Sequence, residues 1–283
     1  MSLLIAAIIP VIAFLYVVYR KDTIKEPVGL LAKCFFGGCL STLLTLVLIY
    51  FLFPSFEFAH PALSAFYDAF FQAALPEELA KFIILYWLVW NSEEFDQHYD
   101  GIIYAVFVSM GFALVENILY VFNYGYGTAI ARGLLAVPGH GLCGVVMGYF
   151  FSLARFAKED IYRRYLVYSI LSAVILHGLY DFILMYMGAD QISEGFTLLL
   201  FVLFIILIIF EWKIGMKSIR KHLSKDEETI YQQSLQERIQ FEEAQTPTSR
   251  PHINIEDREE LEGNEEYHSR FMPRSKSEDS EII

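Results

Sequence analysis

The chain has 283 residues, 55% of them hydrophobic and 19% charged, with a mean hydropathy of +0.42. That balance excludes an ordinary soluble domain and describes a polytopic membrane protein. The formal charge of −12 sits almost wholly in the tail, since Asp226 to the end holds 16 acids against 6 bases, and nothing in it points to nucleic acid.

Residues 3–19 are apolar, with no positive charge ahead of them and Arg20, Lys21 and Lys25 behind. A cleaved signal peptide has the opposite arrangement, so the first span is expected to be retained, with its N-terminus outside. Further spans fall at about 28–53, 63–90, 101–123, 128–154, 165–187 and 196–212. Each approaches or exceeds the ~20 residues that cross a hydrocarbon core. The expected fold is therefore all-α, a polytopic membrane helical bundle of about seven transmembrane helices. Segment 63–75 has a second reading as an interfacial or re-entrant helix, with the crossing starting at Pro76.

Alternating these spans places the loops at 20–27, 91–100, 155–164 and 213 onward on one side. Three of the four hold many lysines and arginines, while the opposite loops at 54–62, 124–127 and 188–195 hold none. Basic residues concentrate on cytoplasmic loops, which predicts the N-terminus outside and the C-terminus in the cytoplasm. Cys34, Cys39 and Cys143 all fall within apolar spans and form neither a zinc pattern nor a disulfide framework. The expected division is a membrane domain over 1–217 and a cytoplasmic acidic tail over 218–283. Residues 225–244 can form a surface helix, and beyond them high charge and low hydrophobicity predict disorder.

Away from the span ends, strongly polar residues are few and grouped. Pro76-Glu77-Glu78-Leu79-Ala80-Lys81 places three ionisable groups in five positions of an otherwise apolar segment. An ionised group at the bilayer centre costs at least ~2.5–3.5 kcal/mol, so these are expected to face protein or a water pocket. Pro76 suits the first turn of a helix, whose positive end favours carboxylates. Glu77 and Glu78 each reach Lys81 at helical spacing but point about 100° apart, which predicts different jobs for them.

Phe112 and Glu116 stand one turn apart, with Asn117 alongside and Arg132 as a candidate partner for Glu116. Arg132 also lies near enough to a span end to reach the interface. Pro138-Gly139-His140-Gly141 predicts a loosened helix with His140 at a polar turn, because freed backbone groups at membrane depth need protein or water. His177 and Asp181 share one helix face, Gly178 between them leaves room for a close neighbour, and a carboxylate there fixes the histidine tautomer.

Each group alone also has a reading as helix packing. Together, Glu77, Glu78, Glu116, His140, His177 and Asp181 within four successive spans read as an ion pathway or a hydrolytic site. A serine elbow, a catalytic cysteine pattern, the H-E-x-x-H motif and the aspartyl Gly-Asp pairing are all absent. Water activated by glutamate with histidine support is the hydrolytic chemistry that remains.

The order Glu77-Glu78-x-x-Lys81, Phe112-x-x-x-Glu116, His177-x-x-x-Asp181 resembles the PrsW intramembrane proteases, relatives of the CAAX-processing glutamic membrane peptidases. The resemblance covers roughly residues 1–215. Glu116 departs from the CAAX branch, which typically has histidine there, and this argues against prenylated substrates. The resemblance implies a bacterial cell-membrane enzyme that cleaves a single-pass membrane protein, typically an anti-sigma factor, near its outer face. Glu77 is then the base, with Glu116 or His140 assisting it. Glu78 and Lys81 set the charge of the site, His177 held by Asp181 serves the oxyanion, and Phe112 and Arg132 support.

No cofactor is expected, although Glu77, Glu116, His140 and His177 could also supply zinc ligands. A proton- or ion-coupled transporter is the competing class.

Overall fold

In the computed structural model, which describes residues 2–56, 58–189 and 192–245, every regular element is helical. The order is α1 (Ser2–Lys21), α2 (Val28–Leu52), α3 (Pro61–Tyr67), a π-helical segment (Asp68–Ala74), α4 (Leu75–Val89) and α5 (His98–Tyr124). Then follow α6 (Tyr126–Leu134), α7 (Ala136–Arg155), α8 (Tyr162–Met187) and α9 (Glu194–Gln245). Among the described residues, six helical stretches are long and apolar enough to cross a membrane, counting α6 and α7 together. The remaining predicted span is the composite of α3, the π segment and α4, three pieces with no residue between them. Residues 63–75 therefore lead directly into the glutamate-bearing helix.

Helix α5 is the axis of the bundle. Nearly all of Tyr99–Ala113 is buried on every side, as befits a helix surrounded by protein rather than lipid. It packs against α7, α2, α1 and α4, and α8 closes on α7 and on the π segment. Helices α1, α2 and α9 instead present leucine, isoleucine and phenylalanine outward, among them Ile12, Leu46 and Ile206.

The α2–α5 crossing depends on two glycines. A Cβ at Gly38 would collide with the Val108 carbonyl, and one at Gly111 with the Phe35 carbonyl. Such backbone contact is how membrane helices associate without a hydrophobic drive between them.

Two boundaries differ from the sequence expectation. Pro138 and Gly139 do not kink their helix at its middle. The break falls at Leu135, and Pro138 lies in the first turn of α7, where a missing N–H leaves nothing unpaired. Helix α9 extends past the predicted end of the last span at 212. Beyond the span, His222 Nε2 donates to the Tyr149 carbonyl at 3.0 Å. Asp226 caps the start of α5, accepting from the backbone N–H of His98 and of Tyr99 at 2.7 Å each. The tail expected to be disordered lies outside the described residues from 246 onward.

Candidate active site

The polar residues picked out by sequence converge in one place. Leu75 and Pro76 open α4 directly after the π segment, which puts Glu77 and Glu78 in its first turn and Lys81 one turn on. Glu78 and Lys81 are fully buried. The Lys81 ammonium donates to Glu78 Oε1 at 2.7 Å, lies 3.2 Å from His140 Nδ1 and 3.6 Å from Glu77 Oε2, and sits 4.0 Å from the centre of the Phe112 ring. Phe112 thus supplies a cation–π face, the partner a desolvated ammonium favours.

His177, from α8, approaches the same pair from the other side. Its Nδ1 is 2.8 Å from Glu78 Oε1 and its Nε2 is 3.2 Å from Asp181 Oδ2. A ring carrying both protons satisfies both carboxylates. Its neighbour Gly178 is required by sterics, since a Cβ there would run into the Phe70 ring of the π segment.

His140 stands in the first turns of α7, its ring edge-on to that of His177. Because Lys81 has only protons to offer, His140 Nδ1 accepts, and its Nε2–H then donates to Glu116 Oε2 at 2.7 Å. Glu116 is also paired with Arg132 at 2.8 Å, both side chains being partly buried, so Arg132 has the partner suggested for it. Arg132 stacks on Tyr120 and donates to Asn117, and Asn117 donates to the Ala7 carbonyl of α1. The chain of contacts runs from Asp181 through His177, Glu78, Lys81, His140 and Glu116 to Arg132.

All of this borders a cavity of about 490 Å³. Glu77, Glu116, His140, His177 and Asp181 line it, whereas Glu78 and Lys81 lie behind them. Glu77 Oε2 makes no hydrogen bond among the described residues, the nearest cationic groups being Lys81 at 3.6 Å and His177 Nε2 at 3.9 Å. Asp68 begins the π segment and is not among the cavity residues, while Tyr180 is.

The cavity also contains Glu211, which the sequence reading passed over. It stands one residue from the predicted end of the last span, where a charge looks like an interfacial anchor. The signal was the apolar stripe of that helix, since Phe204 and Leu207 place Glu211 on the buried face.

Comparison with known proteins identifies relatives of the chain. The family model "PrsW family intramembrane metalloprotease" matches residues 26–209. The protein named Protease PrsW from Oceanobacillus iheyensis is 39% identical over 184 residues, 65% of this chain and 83% of the relative. That of Geobacillus kaustophilus is 41% identical over 186 residues, 65% and 80% of the two chains. That of Clostridioides difficile is 29% identical over 237 residues, 82% and 95%. No solved structure matches the chain.

The family description names a metal, and the donors present fit one in kind and number. One ligand atom each from Glu77, Glu78, His140 and His177 lies within 4.8 Å of the others, with Glu78 in the place expected of Glu116, and Glu77 Oε2 and Glu78 Oε2 are buried without a hydrogen bond. Nitrogen and oxygen donors of this type suit zinc. The ammonium of Lys81 engages three of the same four residues, Glu78, His140 and Glu77, so ion and ammonium compete for them.

By sequence, helical architecture and the match over most of its length, the chain belongs to the PrsW family of intramembrane proteases, multi-pass proteins of the bacterial cell membrane.

Proposed function

We propose that the chain is an endopeptidase that uses water activated by Glu77 to cleave a single-pass membrane protein, of the anti-sigma-factor type, near its outer face. The observation carrying this reading is the division between the two adjacent glutamates. Glu78 is closed off and bonded to Lys81 and His177, whereas Glu77 borders the cavity with an oxygen left without a hydrogen bond. A general base needs that freedom.

In the step we envisage, Glu77 takes a proton from water while the oxygen attacks the scissile carbonyl carbon. The oxyanion forms beside His177 and takes a share of the Nε2–H that Asp181 accepts at 3.2 Å; one such donor is typically worth ~10²–10³ in rate. The tetrahedral intermediate then collapses, the C–N bond breaks, and the leaving amine takes the proton from Glu77. Lys81 supplies fixed positive charge to Glu78 and keeps His140 in the tautomer that donates to Glu116.

A zinc-dependent reading rests on the converging donors described above. Glu77, Glu78, His140 and His177 would hold the ion, which would act as a Lewis acid and activate water. Activity that persists in protein stripped by chelator, with its metal content measured directly, excludes it. Retained transport with no new peptide termini would instead favour the ion-coupled class, for which family membership offers no support.

The deciding experiment compares new protein termini in host membranes holding equal amounts of wild type and Glu77→Gln. Termini mapping just outside a single span and absent with the variant support the proposal, and full activity in a folded Glu77→Gln protein refutes it.

A further inference from the structure

Glu211 is a buried carboxylate that the chemistry above does not use. It is 3% exposed and lines the cavity, and among the described residues it has no hydrogen bond or ion pair. Its helix is set with that face inward. Phe204, seven residues earlier, meets the Tyr180 ring, and Gly215, four residues later, is in close contact with Leu142. Spacings of seven and four keep the three positions on one stripe, so Glu211 occupies a core position where an apolar side chain is the ordinary choice. A carboxylate without a partner in such a place is costly, and rotating α9 to expose it is prevented by the contacts on either side.

The charge arrangement of the cavity indicates what would satisfy it. Glu78 is paired with Lys81, Glu116 with Arg132 and Asp181 with His177. Glu77 also lies 3.6 Å from Lys81 and 3.9 Å from His177, whereas Glu211 has no ion pair among the described residues. Glu211 also stands outside the four residues whose donors converge on one point, so a shared metal is not its complement. It lies two residues beyond the segment matched by the family model.

We propose that Glu211 forms a cation-binding subsite of the cavity, accepting a lysine or arginine side chain of the substrate close to the scissile bond. This deepens the proteolytic reading and rests on it. The subsite selects among sequences and leaves the chemical step to Glu77. A charged partner desolvated in such a pocket shifts selection by several-fold to many-fold.

The test uses the full chain in host membranes with a library of single-span reporter proteins that differ only in a randomised window outside the span. New termini are sequenced for wild type, Glu211→Gln, Glu211→Asp and Glu211→Lys. Wild type is expected to enrich lysine or arginine at one fixed position relative to the cut by roughly tenfold. Glu211→Asp should keep that enrichment, Glu211→Gln should lose it, and Glu211→Lys should replace it with aspartate or glutamate. Cleavage by wild type without any basic enrichment overturns the subsite alone, as does enrichment that survives Glu211→Gln. Glu211→Gln protein that cuts no reporter of any sequence also overturns it, because the residue then serves folding or chemistry rather than selection. No cleavage by wild type overturns the proteolytic reading, and the subsite falls with it.

Discussion

Glu78 is held from two sides, by the Lys81 ammonium and by His177, and is closed to water, while its neighbour Glu77 faces the cavity. Changes at the two positions should therefore fail in different ways. Glu77→Gln keeps shape and neighbours, and is expected to abolish cleavage while leaving the melting temperature close to wild type. Lys81→Met removes the cation between Glu78 and His140 and strands a buried carboxylate. Breaking a buried pair from one side costs ~3–5 kcal/mol, so thermal stability and activity should fall together. Asp181→Asn leaves the ring of His177 in place but weakens its orientation, and a loss of roughly 10–100-fold in kcat with stability preserved is expected. Equal losses for Glu77→Gln and Glu78→Gln in both assays would contradict the division of roles.

Two elements meet where loop 22–27 folds under α5. Glu26 is buried there, the Tyr104 hydroxyl donates to it, and Asp100, Asp22 and Asp96 stand nearby. Burial first, and those neighbouring carboxylates next, push the Glu26 carboxyl up to about 9. A carboxyl raised in the folded state binds more protons there than in the unfolded chain, so its contribution to stability is present at low pH. It is lost as pH rises from the ordinary carboxylate range near 4.5 through about 9. Glu26→Gln should flatten that decline and raise the melting temperature at pH 9 relative to wild type, with little change at pH 5. At the α2–α5 crossing, Gly38→Leu drives a side chain into the Val108 carbonyl. A cost of at least ~1–3 kcal/mol is expected, seen as reduced accumulation or earlier unfolding of the purified protein.

At the scale of the whole molecule, the charges were legible because hydrocarbon makes them conspicuous. Glu77, Glu78, Glu116, His140, His177 and Asp181 stand out from apolar spans without any knowledge of the fold. Their pairing was not legible. That Lys81 reaches His140, 59 positions away, depends on α4 and α7 both packing against α5, and spacing along one helix carries no such information. Glu211 stayed hidden because hydropathy ends the span at 212, whereas the helix continues to Gln245 and keeps that position inside. Pro138 and Gly139 marked a real break, but proline permits a helix start just before it, so the break falls at Leu135. The basic loops predict an orientation that labelling can check. Single cysteines placed in 54–56 should react with an impermeant reagent added outside cells, and those at 158–160 only after permeabilisation. The reverse pattern would move the site towards the cytoplasmic half.

The π-helical stretch Asp68–Ala74 has a consequence for how this segment tolerates length change. In a π turn the backbone N–H reaches back five residues, as Leu75 does to Phe70, so the stretch holds about one residue more than an α-helix of equal pitch would need. It behaves as an insertion absorbed in place. Deleting one residue between Ala69 and Ala73 would let the segment relax to α-helical pitch with both flanks still in phase, and Glu77 would keep its bearing on the cavity. The same deletion at Leu79 or Ala80 finds no slack. It would turn Lys81 by about 100° relative to the glutamates and separate the ammonium from Glu78, so two single-residue deletions a few positions apart should yield one working enzyme and one inert protein.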